Sequence, residues 1–309
     1  MSMLLEQQPT TALILAGGVG TRDLPMTKLI PKELAEVYGL PLIAHVVLDL
    51  MEVGVENIVT VVGEDFDEYG QNYQEIMHRR WFGSSPRLEE YLVANDKEHL
   101  LPKLEQRHGL NFEYVRQPHG GKYGTAIPLH VARKALKGSG SFMAVNGDDL
   151  MHSPEGRAPL RDFAEETTGA RTANGMMFKR VPRQKSGRYP YGMGVLDPEG
   201  RLLELAEKPW AKDITGEPLA NVGKYIFNEK DVFNALGSYV KLSEKRRGQK
   251  EYYLTDVVSM LSDVQGHVTE AQFLDAGDKD LRLIASMIKA GMRPKVVTEA
   301  RNLLLNKMN

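Results

Sequence analysis

A run of six residues without charge, Thr11–Ala16 (TALILA), ends abruptly at Gly17-Gly18 and constrains the fold more than any other feature of the chain. An apolar run of this length, stopped by glycine, suits a strand covered on both faces, as in a parallel sheet. Pro41 then suits the first turn of a helix, in which Leu42, Val46, Leu50 and Val53 recur at helical spacing. Gly54 stands where a C-terminal cap falls, and Asn57–Gly63 (NIVTVVG) reads as a second, β-branched strand. Strand, helix and strand of these lengths make a βαβ unit, which crosses over right-handedly and covers both sheet faces.

The alternation continues along the chain. Strands are expected at Asn111–Arg116, Ser141–Asn146, Gly175–Lys179, Arg201–Glu207, Val222–Phe227 and Gln272–Asp275. Helices are expected at Leu88–Arg107, Ala126–Lys137, Asp231–Leu236, Thr255–Leu261, Lys279–Ala290 and Lys295–Leu305. This order implies a doubly wound α/β sheet. The glycines and prolines between Gly187 and Pro218 mark β-rich connections rather than a linker, so one domain over residues 1–309 is expected. Within it a first part would span about 11–150, a second about 170–280, and C-terminal helices about 279–305.

Composition removes several function classes. With 39 Lys plus Arg against 41 Asp plus Glu, the formal charge of −2 gives no electrostatic case for nucleic acid or an acidic membrane surface. The chain has no cysteine, which excludes a disulfide scaffold, a thiol nucleophile, a thiolate zinc site and an iron–sulfur cluster. No stretch approaches the ~18 apolar residues of a membrane span, and the polar residues 1–10 lack the pattern of a signal peptide. A cytoplasmic location is the expectation. The basic run Lys241–Lys250 (KLSEKRRGQK) reads as a solvated loop, Met176-Met177 as core, and Thr255 as a helix N-cap.

In open α/β sheets ligands bind beyond the carboxyl ends of the strands, so the residues that follow strands are the ones to question. After the first strand comes Gly17-Gly18-Val19-Gly20-Thr21-Arg22, then Pro25, Thr27, Lys28, Pro31 and Lys32. Glycines here let backbone N–H groups approach an anion, although a simple tight turn would look the same. It is neither a Walker loop nor a dinucleotide fingerprint, since no Gly-Lys-Ser/Thr follows and Asp23 holds the third glycine position. Pro25 and Pro31 keep the segment from forming one long helix, so Arg22, Lys28 and Lys32 are free to converge on a polyphosphate. Asp148-Asp149 closes the strand Ser141–Asn146, where a turn or capping aspartate would also fit.

The sequence GGVGTR-x-x-P-x-TK-x-x-PK-x-L resembles the signature of the nucleotidyltransferases that make nucleotide-diphosphate sugars. The resemblance runs from about Leu13 to about Ala290 through VRQP, GTA, GDDL, YGMG, EKP, NVGKYIF, YLTD and LDAGDKD in the family's order. It implies a Rossmann-like doubly wound mixed sheet of the nucleotide-diphospho-sugar transferase type. The branch it resembles uses UTP and glucose-1-phosphate: a sugar-phosphate oxygen attacks the α-phosphorus and pyrophosphate leaves. A phosphate monoester with a second pKa near ~6 is already anionic at pH 7, so no general base is needed. Cations then matter more than histidine, and the eight histidines form no His-x-x-x-His pair.

By resemblance, Arg22 contacts the leaving β- and γ-phosphates, Lys32 offsets charge at the α-phosphate, and the backbone of Gly17, Gly18 and Gly20 cradles the nucleotide. Asp148 and Asp275 hold magnesium, the implied cofactor, with Asp149 a supporting partner. Gln117 and the backbone near Gly124 read the base. Glu207 accepts bonds from sugar hydroxyls, Lys208 meets the sugar phosphate, and Gly192 and Gly223 line the hexose pocket. The resemblance also implies a homo-oligomer whose partners are two small-molecule substrates. Asp23, Lys122, Thr125 and the Asn146-Gly147 pair depart from the family pattern, which leaves base and sugar open. A thymidylyltransferase, a transferase for another hexose-1-phosphate and a non-catalytic sugar-nucleotide-binding regulator are the alternatives.

Overall fold

The structure, a computed structural model, describes residues 8–275 except 19, 22, 23, 25, 38, 67, 68, 106–108, 119, 121, 122, 153–157, 171 and 246–250; of residues 26, 152, 242–245 and 272–275 it describes the backbone and not the side chains. In chain order the regular elements are β1 (Thr11–Ala16), β2 (Glu36–Val37), β3 (Leu40–Pro41), α1 (Leu42–Val53), β4 (Asn57–Gly63), α2 (Tyr73–Phe82) and α3 (Pro86–Ala94). There follow β5 (Asn111–Gln117), α4 (Ala126–Ala132), β6 (Ser141–Asn146), β7 (Asp149–His152), α5 (Pro159–Gly169), β8 (Asn174–Arg180), β9 (Gly192–Leu196) and β10 (Leu202–Glu207). The last are β11 (Leu219–Asn228), α6 (Glu229–Lys245), α7 (Leu254–Val258), β12 (Val264–Thr269) and β13 (Gln272–Asp275).

The opening βαβ unit forms as its apolar pattern dictates. Residues 12–14 of β1 are fully buried, and Gly54 closes α1 at φ 98°, a left-handed conformation that glycine adopts without a Cβ penalty. Strands β5, β4, β1 and β6 lie side by side and parallel, and β6 is flanked on its other edge by antiparallel β11. In all, nine strands form one mixed sheet, in which β11 also pairs with β8 and β9, β12 runs parallel to β8, and β10 pairs with β9. Helices cover both faces, and each face has its own core: α4, α6 and α7 pack on one around Phe142, Phe178 and Phe227, α1 and α5 on the other around Ile14, Met143 and Phe163.

Chain order reverses between β1 and β6, whose carboxyl ends carry the glycine loop and the Asp148-Asp149 pair. A crevice at this reversal is where doubly wound sheets take their ligands. A two-stranded ribbon of β7 and β13 stands beside it and sets Asp275 opposite Asp149 in register.

Several expectations are corrected. The stretch 88–107 is not one helix: α3 ends at Ala94, Asp96 takes φ 55°, and a separate 3-10 segment, Glu98–Leu104, follows with Pro102 inside it. The helix expected over 126–137 ends at Ala132, and residues 133–138 continue as turns. Lys241–Lys245 is the last part of α6 rather than loop, and 246–250 lie outside the described residues. Thr255 is not an N-cap: α7 begins at Leu254, and the Thr255 hydroxyl turns toward Glu207 instead. The helices expected at 279–290 and 295–305 lie outside the described residues.

Candidate active site

The glycine loop folds back on the segment that carries Lys32. Gly20 has φ 62°, and a Cβ there would lie 2.7 Å from Thr27 Cγ2, so the close approach requires glycine. The Thr27 hydroxyl donates to the Gly20 carbonyl at 2.8 Å. Pro25 lies outside the described residues, but around Pro31 the expected break is present: Met26–Lys28 and Lys32–Leu34 are separate single 3-10 turns. Helix α2 holds this segment from behind, since Tyr73 donates to the Leu29 carbonyl at 2.8 Å and buried His78 meets buried Glu33 at 2.8 Å.

So held, Lys32 places its ammonium on the Asp148 carboxylate, in the turn between β6 and β7. Lysine and aspartate come from the loops after two neighbouring strands. Asp275 ends β13 with its backbone paired to Asp149; its side chain lies outside the described part, as Arg22 does entirely. Lys28, Gly17 and Gly18 are present in the same loop system, with Gly18 open to solvent.

On the far side of the glycine loop, Gln117 ends β5 and lays its amide against Gly17, where a Cβ would come within 3.0 Å of Oε1. That Oε1 is buried and has no hydrogen-bond partner among the described residues. An orphaned amide oxygen facing a glycine-lined gap is suited to pair with a donor on a planar ligand. Gly124 has a packing reason of its own: at φ 118° it lies so close to Tyr252 that a Cβ would be 2.3 Å from the Tyr252 carbonyl oxygen. Ala126 N–H donates to that carbonyl, and the Leu254 N–H donates to Thr125 Oγ1.

The other ligand-facing residues gather in a cavity of about 150 Å³ walled by Asn146, Gly192, Glu207, Asn221, Gly223 and Thr255. Glu207 ends β10, accepts from Thr255 Oγ1 at 2.9 Å, and faces Gly192, where a Cβ would stand 3.2 Å from its carboxylate. Burial raises the Glu207 pKa, and Asp256 and Glu251 push the same way against the Thr255 bond and Lys208. Lys208 itself turns the chain: its φ of 46° is rare for a side-chain-bearing residue and folds the ammonium back to 3.9 Å from Glu207. The chain therefore bends at Lys208, one residue before Pro209. Gly223, at φ 67°, lies in an irregular stretch of β11 where the Asn221 side chain accepts from the Gly223 N–H at 2.9 Å and donates to Tyr225 at 2.7 Å.

Sequence reasoning missed the buttress of Glu33 and His78, the hydroxyl of Thr255, and a buried lysine, Lys224, 3.6 Å from Asp149. Thr255 and Lys224 carried a signal, their places in the YLTD and NVGKYIF motifs.

A glycine loop at the reversal of a parallel sheet, a lysine meeting an aspartate, and a polar cavity that begins at the next residue along the chain thus lie together at one end of the sheet. The chain belongs to the nucleotidyl transferase family, whose model matches residues 11–289. It is 29% identical over 296 residues to UTP–glucose-1-phosphate uridylyltransferase of Bacillus subtilis strain 168, covering 92% of this chain and 91% of that protein. It is 28% identical over 306 residues to UTP–glucose-1-phosphate uridylyltransferase 1 of Streptococcus pyogenes serotype M3, covering 95% and 93%. Its fold matches the UTP-bound UGPase of Acinetobacter baumannii with a TM-score of 0.74 at 24% identity, over 96% of this chain and 98% of that one. A UDP-glucose pyrophosphorylase solved with UDP-glucose matches with a TM-score of 0.69 at 24% identity, over 92% and 99%.

Proposed function

We propose that the chain is a UTP–glucose-1-phosphate uridylyltransferase, forming UDP-glucose and pyrophosphate. The observation that carries this reading is the meeting of Lys32 with Asp148, whose chain neighbour Asp149 lines the same cavity as Glu207. A triphosphate laid along the glycine loop would bring its α-phosphate to Lys32, while a sugar phosphate entering past Lys208 would put its ring against Glu207. The enzyme's work is then to hold two polyanions in line, and fixed cations offset their repulsion. The anionic sugar phosphate attacks without a proton acceptor, and Arg22, in the same loop, would draw the leaving pyrophosphate. Gln117 would pair with the imide edge of uracil through its orphaned oxygen.

The acidic pair fits magnesium. Asp148 already accepts one cation, the Lys32 ammonium, and the β7–β13 ribbon sets the backbone of Asp275 next to that of Asp149. An ion held by two carboxylates would be completed by phosphate oxygens and water. When bound, Mg2+ would neutralise phosphate charge; Asp148 and Asp275 would hold it. Among the described residues no helix is long and apolar enough to cross a membrane. A single domain, a cytoplasmic location and a homo-oligomer belong to the same proposal.

A panel of nucleoside triphosphates and sugar-1-phosphates with Mg2+, scored by pyrophosphate release, tests the reading. UTP with glucose-1-phosphate is expected to give the fastest release. Faster release with dTTP or another hexose-1-phosphate would reassign the substrate, and no release from any pair would leave a binding protein.

A further inference from the structure

Lys224 sits in the middle of β11, between Val222 and Ile226, on the sheet face that packs against α1 and α5. Its side chain is 2% exposed, and its Nζ makes no hydrogen bond to any described residue. On one flank lies Asp149, equally 2% exposed, with Oδ2 at 3.6 Å; the same oxygen accepts from Asn146 Nδ2 at 2.6 Å. Asp49 of α1 also feels the lysine's charge. A buried ion pair with incomplete hydrogen bonding contributes little to stability, and apolar side chains of similar volume would fill the space as well. The arrangement has a direction instead. Asp148 is the last residue of the turn after β6 and Asp149 the first of β7, and the two side chains part in different directions. Asp149 points inward to Lys224, whereas Asp148, with a side chain 26% exposed, points outward to Lys32. Gly223 locks strand and turn together, since a Cβ there would stand 2.3 Å from Asn146 Nδ2 and 3.2 Å from Asp149 Oδ2.

We propose that Lys224 is a positioning residue that draws the Asp149 carboxylate beneath the sheet, and so determines that Asp148 is the aspartate facing the nucleotide phosphates and the divalent ion. This rests on the nucleotidyltransferase reading of the site. Removing the charge of either partner loses the attraction that holds the side chain of residue 149 beneath the sheet, and the adjoining turn, which carries Asp148, is then free to shift.

The test uses Lys224→Met, Lys224→Arg, Asp149→Asn and the Lys224→Met/Asp149→Asn double variant, each checked for folding by circular dichroism. Mn2+ binding in the presence of UTP is followed by electron paramagnetic resonance, and kcat and KM by pyrophosphate release. Lys224→Met should raise the Mn2+ concentration for half-saturation by at least ~10-fold, the scale of losses when a group supporting a metal ligand is removed. UTP binding without metal should change little, and Lys224→Arg should restore most of the Mn2+ affinity. Since the lysine acts through Asp149, the double variant should be no worse than the poorer single variant. Asp149→Asn, which breaks the same pair with a near-isosteric group, should show the same loss and carries the test in case Lys224→Met does not fold. A folded Lys224→Met or Asp149→Asn that binds Mn2+ as the unmodified protein does, or a double variant whose losses multiply, overturns the proposal. If the unmodified protein binds Mn2+ with UTP but releases no pyrophosphate from any pair, the function above fails and the positioning role is still decided by the Mn2+ measurements. If it shows no nucleotide-dependent Mn2+ binding, both are overturned.

Discussion

Replacing Asp49 by asparagine should stabilise the protein at pH 8 and leave it unchanged near pH 4. Asp49 lies on α1 with 8% of its surface exposed, against the face of the sheet that carries Lys224. Burial lifts its pKa from 3.8 to about 8; Glu52 adds to the rise, and Lys224, which pairs with Asp149, opposes it. Between these two values the unfolded chain has released the proton and the folded protein retains it. The native state binds more protons there, so stability falls as pH rises through the window. At 1.36 kcal/mol per pH unit, a span from 3.8 to about 8 gives an upper bound of roughly 5–6 kcal/mol. Structural relaxation and water entry reduce that figure, and half of it, about 3 kcal/mol, would still move Tm by several degrees. Asparagine has nearly the same shape and no proton to lose, so the penalty vanishes in Asp49→Asn. Urea melts of both proteins at pH 5, 6, 7 and 8 isolate the effect, because every other titrating group is common to the pair. The stability difference should widen steadily with pH in favour of the variant. A difference that stays flat, or an Asp49→Asn that is the less stable at pH 8, would refute a carboxyl held neutral by burial.

Lys32→Ala and Asp148→Asn are each expected to lower turnover by at least ~100-fold in a pyrophosphate-release assay with the fold intact by circular dichroism, as losing one preorganised charge does; near-normal rates in both would remove them from the reacting centre. Glu207→Gln should raise the KM for glucose-1-phosphate while the UTP dissociation constant, read by isothermal titration calorimetry, stays close to its original value. A fall in UTP affinity instead would mean that the cavity takes the nucleotide. Gly124→Ala should destabilise the protein by about 2 kcal/mol or more in a denaturant melt, because it adds a Cβ 2.3 Å from the Tyr252 carbonyl oxygen at φ 118°. An unchanged midpoint would show that the 124–126 and 252–254 segments separate freely.

What was legible in the sequence followed the range of the forces involved. Elements built on local periodicity could be read directly: β1, β4, β6 and β13 have the expected bounds, and Gly54 caps α1 where the pattern ends. Helix α2 escaped because its inner face is not apolar. It buries Gln74, Glu75 and His78, each satisfied by a partner remote in sequence: Gly63, Arg116 and Glu33. An amphipathic-stripe reading weighs those residues as solvent-facing, whereas each is a buried polar group that is tolerable only once its partner is in place. The site divides in the same way. Asp148 stands just after β6 and Glu207 at the end of β10, where strand ends draw attention, whereas Lys32, well beyond β1, and Gly223, within β11, stood out only through the motifs that contain them. Lys224 lies in one of those motifs, but no role could be read for it, since alternation along β11 puts it on the face with Val222 and Ile226, where a lysine without a visible countercharge reads as an exception to the pattern. Its countercharge comes from the start of β7, brought alongside by antiparallel pairing of β11 with β6. Loop cations and strand-end carboxylates therefore show in sequence because they sit where chain direction changes. The charges that orient them are set by strand order, and strand order is a property of the assembled sheet.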